Sequence, residues 1–184
     1  MTLCYCQHVR DMFIEYDLPK TAAIMDFGTG TGLMAQLFAD QGFTNISGCD
    51  GAEGMLAKAK DKGFFKDLFK HWVGKDTLKP EYEQAFDVSV SIGCFLPTHF
   101  TMDGVEDMWK ITKKGGIVCI QARDLHWNNE EYGLKKKCND LVAEGRFKFQ
   151  KSLTFSVFNG MKEGGLGFGL YVEQTCTAKF FIRV

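Results

Sequence analysis

The stretch Ile24-Met25-Asp26-Phe27-Gly28-Thr29-Gly30-Thr31-Gly32 decides the fold. Ala22–Phe27 is a short apolar run that ends in glycines, the pattern of a buried strand. Leu33, Met34, Leu37 and Phe38 then recur at helical spacing through Asp40, with Gly42 as the stop. A strand running through a glycine turn straight into a helix is the opening of a β-α-β unit. The glycines permit a tight turn and let main chain approach a ligand closely. The helix behind them presents free N–H groups and partial positive charge. At the carboxyl end of a parallel strand, such a turn is where open α/β sheets bind nucleotides.

Working outward, the alternation continues. Asn45–Cys49 reads as a second strand and Glu53–Lys62 as a helix carrying Met55, Leu56 and Ala59 on one face. Phe64–Gly74 is ambiguous, and a third strand is expected near Trp72-Val73. Phe86–Ile92 is a strand, Met102–Thr112 a helix, Ile117–Ala122 a buried strand and Asn128–Glu144 a helix. Phe147–Phe158 and Leu170–Val184 are two late β-rich segments joined by a glycine-rich loop, Gly160–Gly169. Strands alternating with helices predict a doubly wound, Rossmann-like α/β fold with a mostly parallel sheet of seven strands. The last two strands lack an intervening helix and are expected to form an antiparallel hairpin. With 184 residues and no interdomain linker, the expectation is one domain over 1–184 with a short N-terminal segment, 1–21.

Composition narrows the function classes. Lys plus Arg number 22 against 23 Asp plus Glu, which argues against a broad phosphate-binding surface. No apolar run approaches the roughly 20 residues that span a bilayer, and Met1–Cys6 lacks the pattern of a signal peptide. The seven cysteines are scattered rather than set at framework spacings. Reduced thiols in a reducing compartment, the cytoplasm, are the expectation. Cys4-x-Cys6-x-His8 lacks a second ligand pair, so no metal site is expected.

The turn itself selects among nucleotides. A dinucleotide fingerprint requires glycine where Leu33 stands, and no Gly-Lys-Ser/Thr follows, which excludes a P-loop. Asp26, two residues ahead of Gly28, is poorly placed beside a pyrophosphate. It suits a cationic amino group such as the one S-adenosylmethionine carries. The second strand ends at Gly48-Cys49-Asp50, one β-α-β unit further on. A carboxylate there can accept hydrogen bonds from both ribose hydroxyls; a plain helix N-cap is its other reading. Met55 packs either against adenine or into the core. Asp26, Gly28, Thr29, Gly30, Gly32, Asp50, Gly51, Met55, Ser91 and Ile92 are the candidate cofactor-binding residues.

The run from Ile24 to about Lys60 resembles motif I and the acidic site after it in the class I S-adenosylmethionine-dependent methyltransferases. Phe86–Gly93 resembles that fold's fourth strand, and Ile111-Thr112-Lys113-Lys114-Gly115-Gly116-Ile117-Val118 the turn before its fifth, with Lys114 in place of the usual proline. Lys62–Leu68 and Gly93–Phe100 are similar to the methyltransferase-like proteins of the Williams–Beuren syndrome chromosome region family. The resemblance implies methyl transfer from S-adenosylmethionine.

Methyl transfer from a sulfonium needs positioning more than a fixed catalytic residue. The acceptor is expected beyond strands one, four and five. That places Tyr5, Phe95, His99, Arg123 and His126 as candidate substrate contacts, with His99 the candidate base or a plain surface histidine. Lys135-Lys136-Lys137 is the only basic run and reads as a solvated helix face. A small-molecule acceptor is therefore expected over nucleic acid. Only about 22 residues precede the first strand, fewer than the fold usually carries there. A partner chain or self-association to cover the cleft is one expectation from this. A cofactor-binding or interaction subunit of weak or no activity is the rival function, and a nicotinamide oxidoreductase is disfavoured by Leu33 and Asp26.

Overall fold

A computed structural model describes the backbone of residues 2–161 and 170–184, and the side chains of residues 6–156 and 175–184. The elements are α1 (Thr2–Ile14), β1 (Ala23–Phe27), α2 (Leu33–Asp40), β2 (Asn45–Asp50), α3 (Glu53–Lys60), β3 (Phe65–Lys70), β4 (Phe86–Ile92), α4 (Asp103–Ile111), β5 (Thr112–Arg123), α5 (Asp124–Trp127), α6 (Leu134–Ala143), β6 (Phe147–Met161) and β7 (Leu170–Arg183). The seven strands form one sheet in the order β3-β2-β1-β4-β5-β7-β6. β1 to β5 pair in parallel, while β7 runs antiparallel to both β5 and β6. This is the Rossmann-like methyltransferase sheet that the alternation predicts.

β1 is central and all five of its residues are buried, which is why it reads as an unbroken apolar run. Each face of the sheet carries its own core. On one face Ile24, Ile46, Val88, Val90 and Cys119 meet Cys6, Val9 and Phe13 of α1 and Met34, Ala35, Leu37 and Phe38 of α2. On the other, Met25, Val118 and Ile120 meet Val105, Met108 and Ile111 of α4 and Leu134, Cys138 and Leu141 of α6. The alternation along each strand thus sorts neighbouring residues to opposite cores.

Four expectations are corrected. The third strand is Phe65–Lys70, not the Trp72-Val73 region; it is a half-exposed edge strand without a continuous apolar run. The expected Asn128–Glu144 helix is two helices, α5 and α6, and Gly133 at φ +81° caps the second. β5 begins at Thr112, because Lys113–Gly116 form an irregularity within the strand rather than a turn before it. Met102 and Thr112 flank α4 rather than belong to it. The short N-terminal segment holds α1, which packs on α2 and β6. The hairpin is present, and β6 extends to Met161; the remainder of the expected Gly160–Gly169 loop lies outside the described residues.

Candidate functional site

The turn between β1 and α2 is held from three sides. Thr29 N–H donates to Cys49 O (2.9 Å), which ties it to β2. Gly28 has φ +68°, and a Cβ there would stand 2.5 Å from Cys94 Sγ and 2.9 Å from the Phe100 ring, so no larger residue fits. Gly30 has φ +55° with nothing within 4 Å of a would-be Cβ; its main chain faces open space. Gly32, φ +77°, stands at the start of α2 with no side chain capping the helix.

Two carboxylates border this turn. Asp26 is only 2% exposed, and Thr29 Oγ1 donates to its Oδ2 at 2.7 Å. Burial pushes its pKa up to about 6, against the lowering effect of the Thr29 hydroxyl and the Ala35 N–H. Asp50 takes Gly30 N–H on Oδ2 (2.9 Å) and Ala52 N–H on Oδ1 (2.8 Å). Each of its oxygens retains a lone pair for a further donor.

Together these residues bound a cleft of about 300 Å³ lined by Cys6, Asp26, Gly28, Thr29, Gly30, Thr31, Leu33, Met34, Met55 and Ile92. That volume is at the lower end for a small-molecule site. Two larger grooves lie elsewhere, one beside α5 and α6 and one between the Gly74–Glu83 connection and α4, neither lined by the turn after β1. The thiols of Cys6 and Cys94 are each pushed up to about 12, by burial first and Asp26 second, so neither supplies a thiolate near neutral pH.

The structure brings six of the candidate cofactor residues together in the lining: Asp26, Gly28, Thr29, Gly30, Met55 and Ile92. Asp50 adjoins them through Gly30. Three stand apart from the lining. A Cβ on Gly32 would meet the Phe65 ring at 3.1 Å, one on Gly51 would meet Trp72 at 2.7 Å, and Ser91 is wholly buried. Among the acceptor-side candidates, Phe95 is corrected: it is 0% exposed and packs edge-on against Phe100, a core residue. His99 is exposed on the loop after β4, with Nδ1 3.0 Å from Thr98 Oγ1. Arg123 ends β5 half-buried, and His126 lies in α5, its pKa lowered by burial and then by the Arg123 charge. Tyr5 is in α1, its side chain outside those described.

Sequence reasoning missed Cys6, Thr31, Leu33 and Met34 in the lining. Leu33 and Met34 carry a signal, since the first turn of a helix that follows such a loop must border whatever the loop holds. Cys6 carries none: it arrives by the packing of α1.

The family described as methyltransferase domain matches residues 24–116. A human protein, methyltransferase-like protein 27, is 32% identical over 105 residues, or 57% of this chain and 42% of that protein's length. Among solved structures, a candidate RNA methyltransferase of Pyrococcus horikoshii superposes with TM-score 0.72 at 12% identity, covering 97% of this chain and 84% of that one. A Haloferax volcanii methyltransferase candidate in complex with the Trm112 methyltransferase activator gives TM-score 0.66 at 11% identity, covering 91% and 84%. The matched family region runs from β1 to the start of β5 and holds all of the cleft lining except Cys6, and the chain belongs to the methyltransferase-domain family, within the class I S-adenosylmethionine-dependent methyltransferase superfamily.

Proposed function

We propose that the chain binds S-adenosylmethionine in the glycine-turn cleft and methylates a small-molecule acceptor. The observation that carries this reading is Asp26, a buried carboxylate on the cleft wall, two residues ahead of Gly28 and four ahead of the open main chain at Gly30.

The residues fit the cofactor's groups one by one. Asp26 offers a carboxylate to the ammonium. Gly28 and Gly30 let the amino-acid portion lie against main chain. Asp50, oriented by two N–H donors, keeps lone pairs for the ribose hydroxyls. Met55, 43% exposed on the lining, offers an apolar face to adenine. The bound sulfonium supplies an electrophilic methyl group. The chain's own contribution is orientation and exclusion of water, effects worth about 7–11 kcal/mol when the geometry is right. On the acceptor side, Arg123, His99 and His126 are available at the ends of β4 and β5. His126, held toward its neutral form, suits proton acceptance.

A small acceptor is favoured over nucleic acid by the state of the basic run. Lys136 pairs with Asp140 at 2.6 Å and Lys137 with Glu106 at 2.5 Å, so two of its three charges are already compensated. Buried thiols such as Cys49, Cys119 and Cys138 accord with a reducing compartment, and the cytoplasm is the proposed location. The Haloferax neighbour is in complex with an activator chain, and a partner chain or a second copy is the proposed cover for the cleft here.

Calorimetry with S-adenosylmethionine, S-adenosylhomocysteine and NAD tests the cofactor, and turnover over a metabolite panel tests the acceptor class. Binding of the sulfur compounds but not NAD is expected. If neither sulfur compound binds at millimolar concentration, the cofactor assignment is wrong.

A further inference from the structure

Gln121 is 1% exposed, and its Oε1 is buried with no hydrogen-bond partner. Strand pairing fixes where it points. It stands opposite Ile92 on β4 and Ala178 on β7. Ala178 and Cys119, two residues before Gln121, belong to the core beneath α1 and α2, and Ile92 lines the cleft. Alternation along β5 therefore puts Gln121 on the cleft's own face of the sheet.

Beside it, Gly93 donates its N–H to Gln121 O at 3.0 Å. A Cβ on Gly93 would meet Gln121 Oε1 at 3.8 Å and nothing else within 4 Å. The buried, unsatisfied amide carbonyl of Gln121 thus lies beside the exposed main chain of Gly93, just after the end of β4. Two more buried, partnerless polar atoms lie just past the end of β5, Asp124 Oδ1 and His126 Nδ1. Leu or Met would fill the place of Gln121 without leaving a polar atom unpaired, so the unpaired amide carries a cost that a hydrogen-bond donor would recover.

We propose that Gln121 selects the methyl acceptor: its Oε1 accepts a hydrogen bond from the O–H or N–H of a small, otherwise apolar molecule lying over Gly93. The apolar part follows from the adjoining wall of Cys6, Leu33, Met34 and Ile92. The acceptor class is a neutral alcohol, phenol or amine. The role is positioning, because a neutral amide orients the donor without taking its proton. This assignment rests on the cofactor reading above.

The test uses the full chain saturated with S-adenosylhomocysteine, titrated with phenol, aniline and toluene and followed by ligand-observed NMR. Phenol and aniline are expected to bind about five- to ten-fold tighter than toluene. Gln121→Leu should bring that ratio to about one while S-adenosylhomocysteine affinity stays within about two-fold. Gln121→Glu, which keeps an acceptor oxygen, should retain the preference for phenol. The unchanged S-adenosylhomocysteine affinity certifies that each variant is folded, and Gln121→Met serves if Gln121→Leu is not. No binding of any probe to the loaded chain, no preference for the donors, or a preference that survives Gln121→Leu and Gln121→Met overturns the proposal. Failure of wild-type chain to bind S-adenosylhomocysteine instead overturns the cofactor reading on which it rests.

Discussion

The main-chain N–H of Gly30 donates to Asp50 Oδ2 at 2.9 Å, joining the turn after β1 to the end of β2. One carboxylate therefore shapes the turn and, in the proposed function, faces the ribose. Asp50→Ala should weaken S-adenosylhomocysteine by about 1–3 kcal/mol, the cost of leaving polar groups without their partner. Calorimetry reads this directly, and an unchanged affinity would show that the ribose does not sit at Asp50.

The two glycines of the turn should separate stability from binding. Gly28→Ala forces a methyl 2.5 Å from Cys94 Sγ at φ +68°, whereas Gly30→Ala meets nothing within 4 Å at φ +55°. Strain alone costs about 1–2 kcal/mol, and overpacking adds about 1–3 kcal/mol. Gly28→Ala should lower Tm clearly more than Gly30→Ala. Gly30→Ala should lose cofactor affinity nonetheless, because its methyl occupies the open side of the turn. Calorimetric melting and titration of the two variants check both halves.

Asp26 makes binding and stability depend on pH in opposite senses. Its pKa rises from 3.8 to about 6, so the folded chain holds this proton more tightly than the unfolded one. The stability linked to it is complete below about pH 4 and is lost as pH rises through about 6, a loss of about 3 kcal/mol. Asp26→Asn should therefore raise Tm at pH 7 and change little at pH 4. An ammonium needs the ionised form, so wild-type affinity should fall about tenfold per pH unit below that value. Titrations from about pH 5 to pH 8 test this, and a flat profile would remove Asp26 from the ammonium site.

Phe95 and His99 are four residues apart and should behave differently. Phe95→Ala empties a fully buried site against Phe100 and should cost about 3–5 kcal/mol. His99→Ala, on an exposed loop, should stay within about 0.5 kcal/mol. Denaturant unfolding of both variants measures the contrast.

The central sheet was readable from sequence because β1 and β5 show as apolar runs next to glycines, and β4 as Phe, Val and Ile alternating with polar residues ahead of Gly93. β3 was displaced because Lys66, Asp67 and Lys70 break the run in a strand that borders solvent. The glycines at 115 and 116 read as a turn, yet they sit in a strand irregularity where Lys113 reaches Asp87 at 2.7 Å. Asp26, Gly28 and Asp50 were readable because a strand end and the turn after it are local in sequence. Cys6 and Gln121 were not, since each gains its meaning from a neighbour brought by the fold: α1 in one case, Gly93 and Ile92 in the other. Phe95 misled because a loop position after β4 says nothing about which way its ring turns.

β7 stands inside the sheet although it is last in the sequence: residues 176–182 pair with β5 on one side and β6 on the other. Until those residues are made, β5 has a bare edge of main-chain donors and acceptors, an invitation to pair with the wrong strand. The glycine turn can form early from local segments, while the Gln121 wall waits for a contact far along the chain. Synthesis thus assembles the two halves of the cleft at different times. A chain stopped at Arg146 should keep the turn's sequence but collect as aggregate, which a solubility assay on expression would reveal.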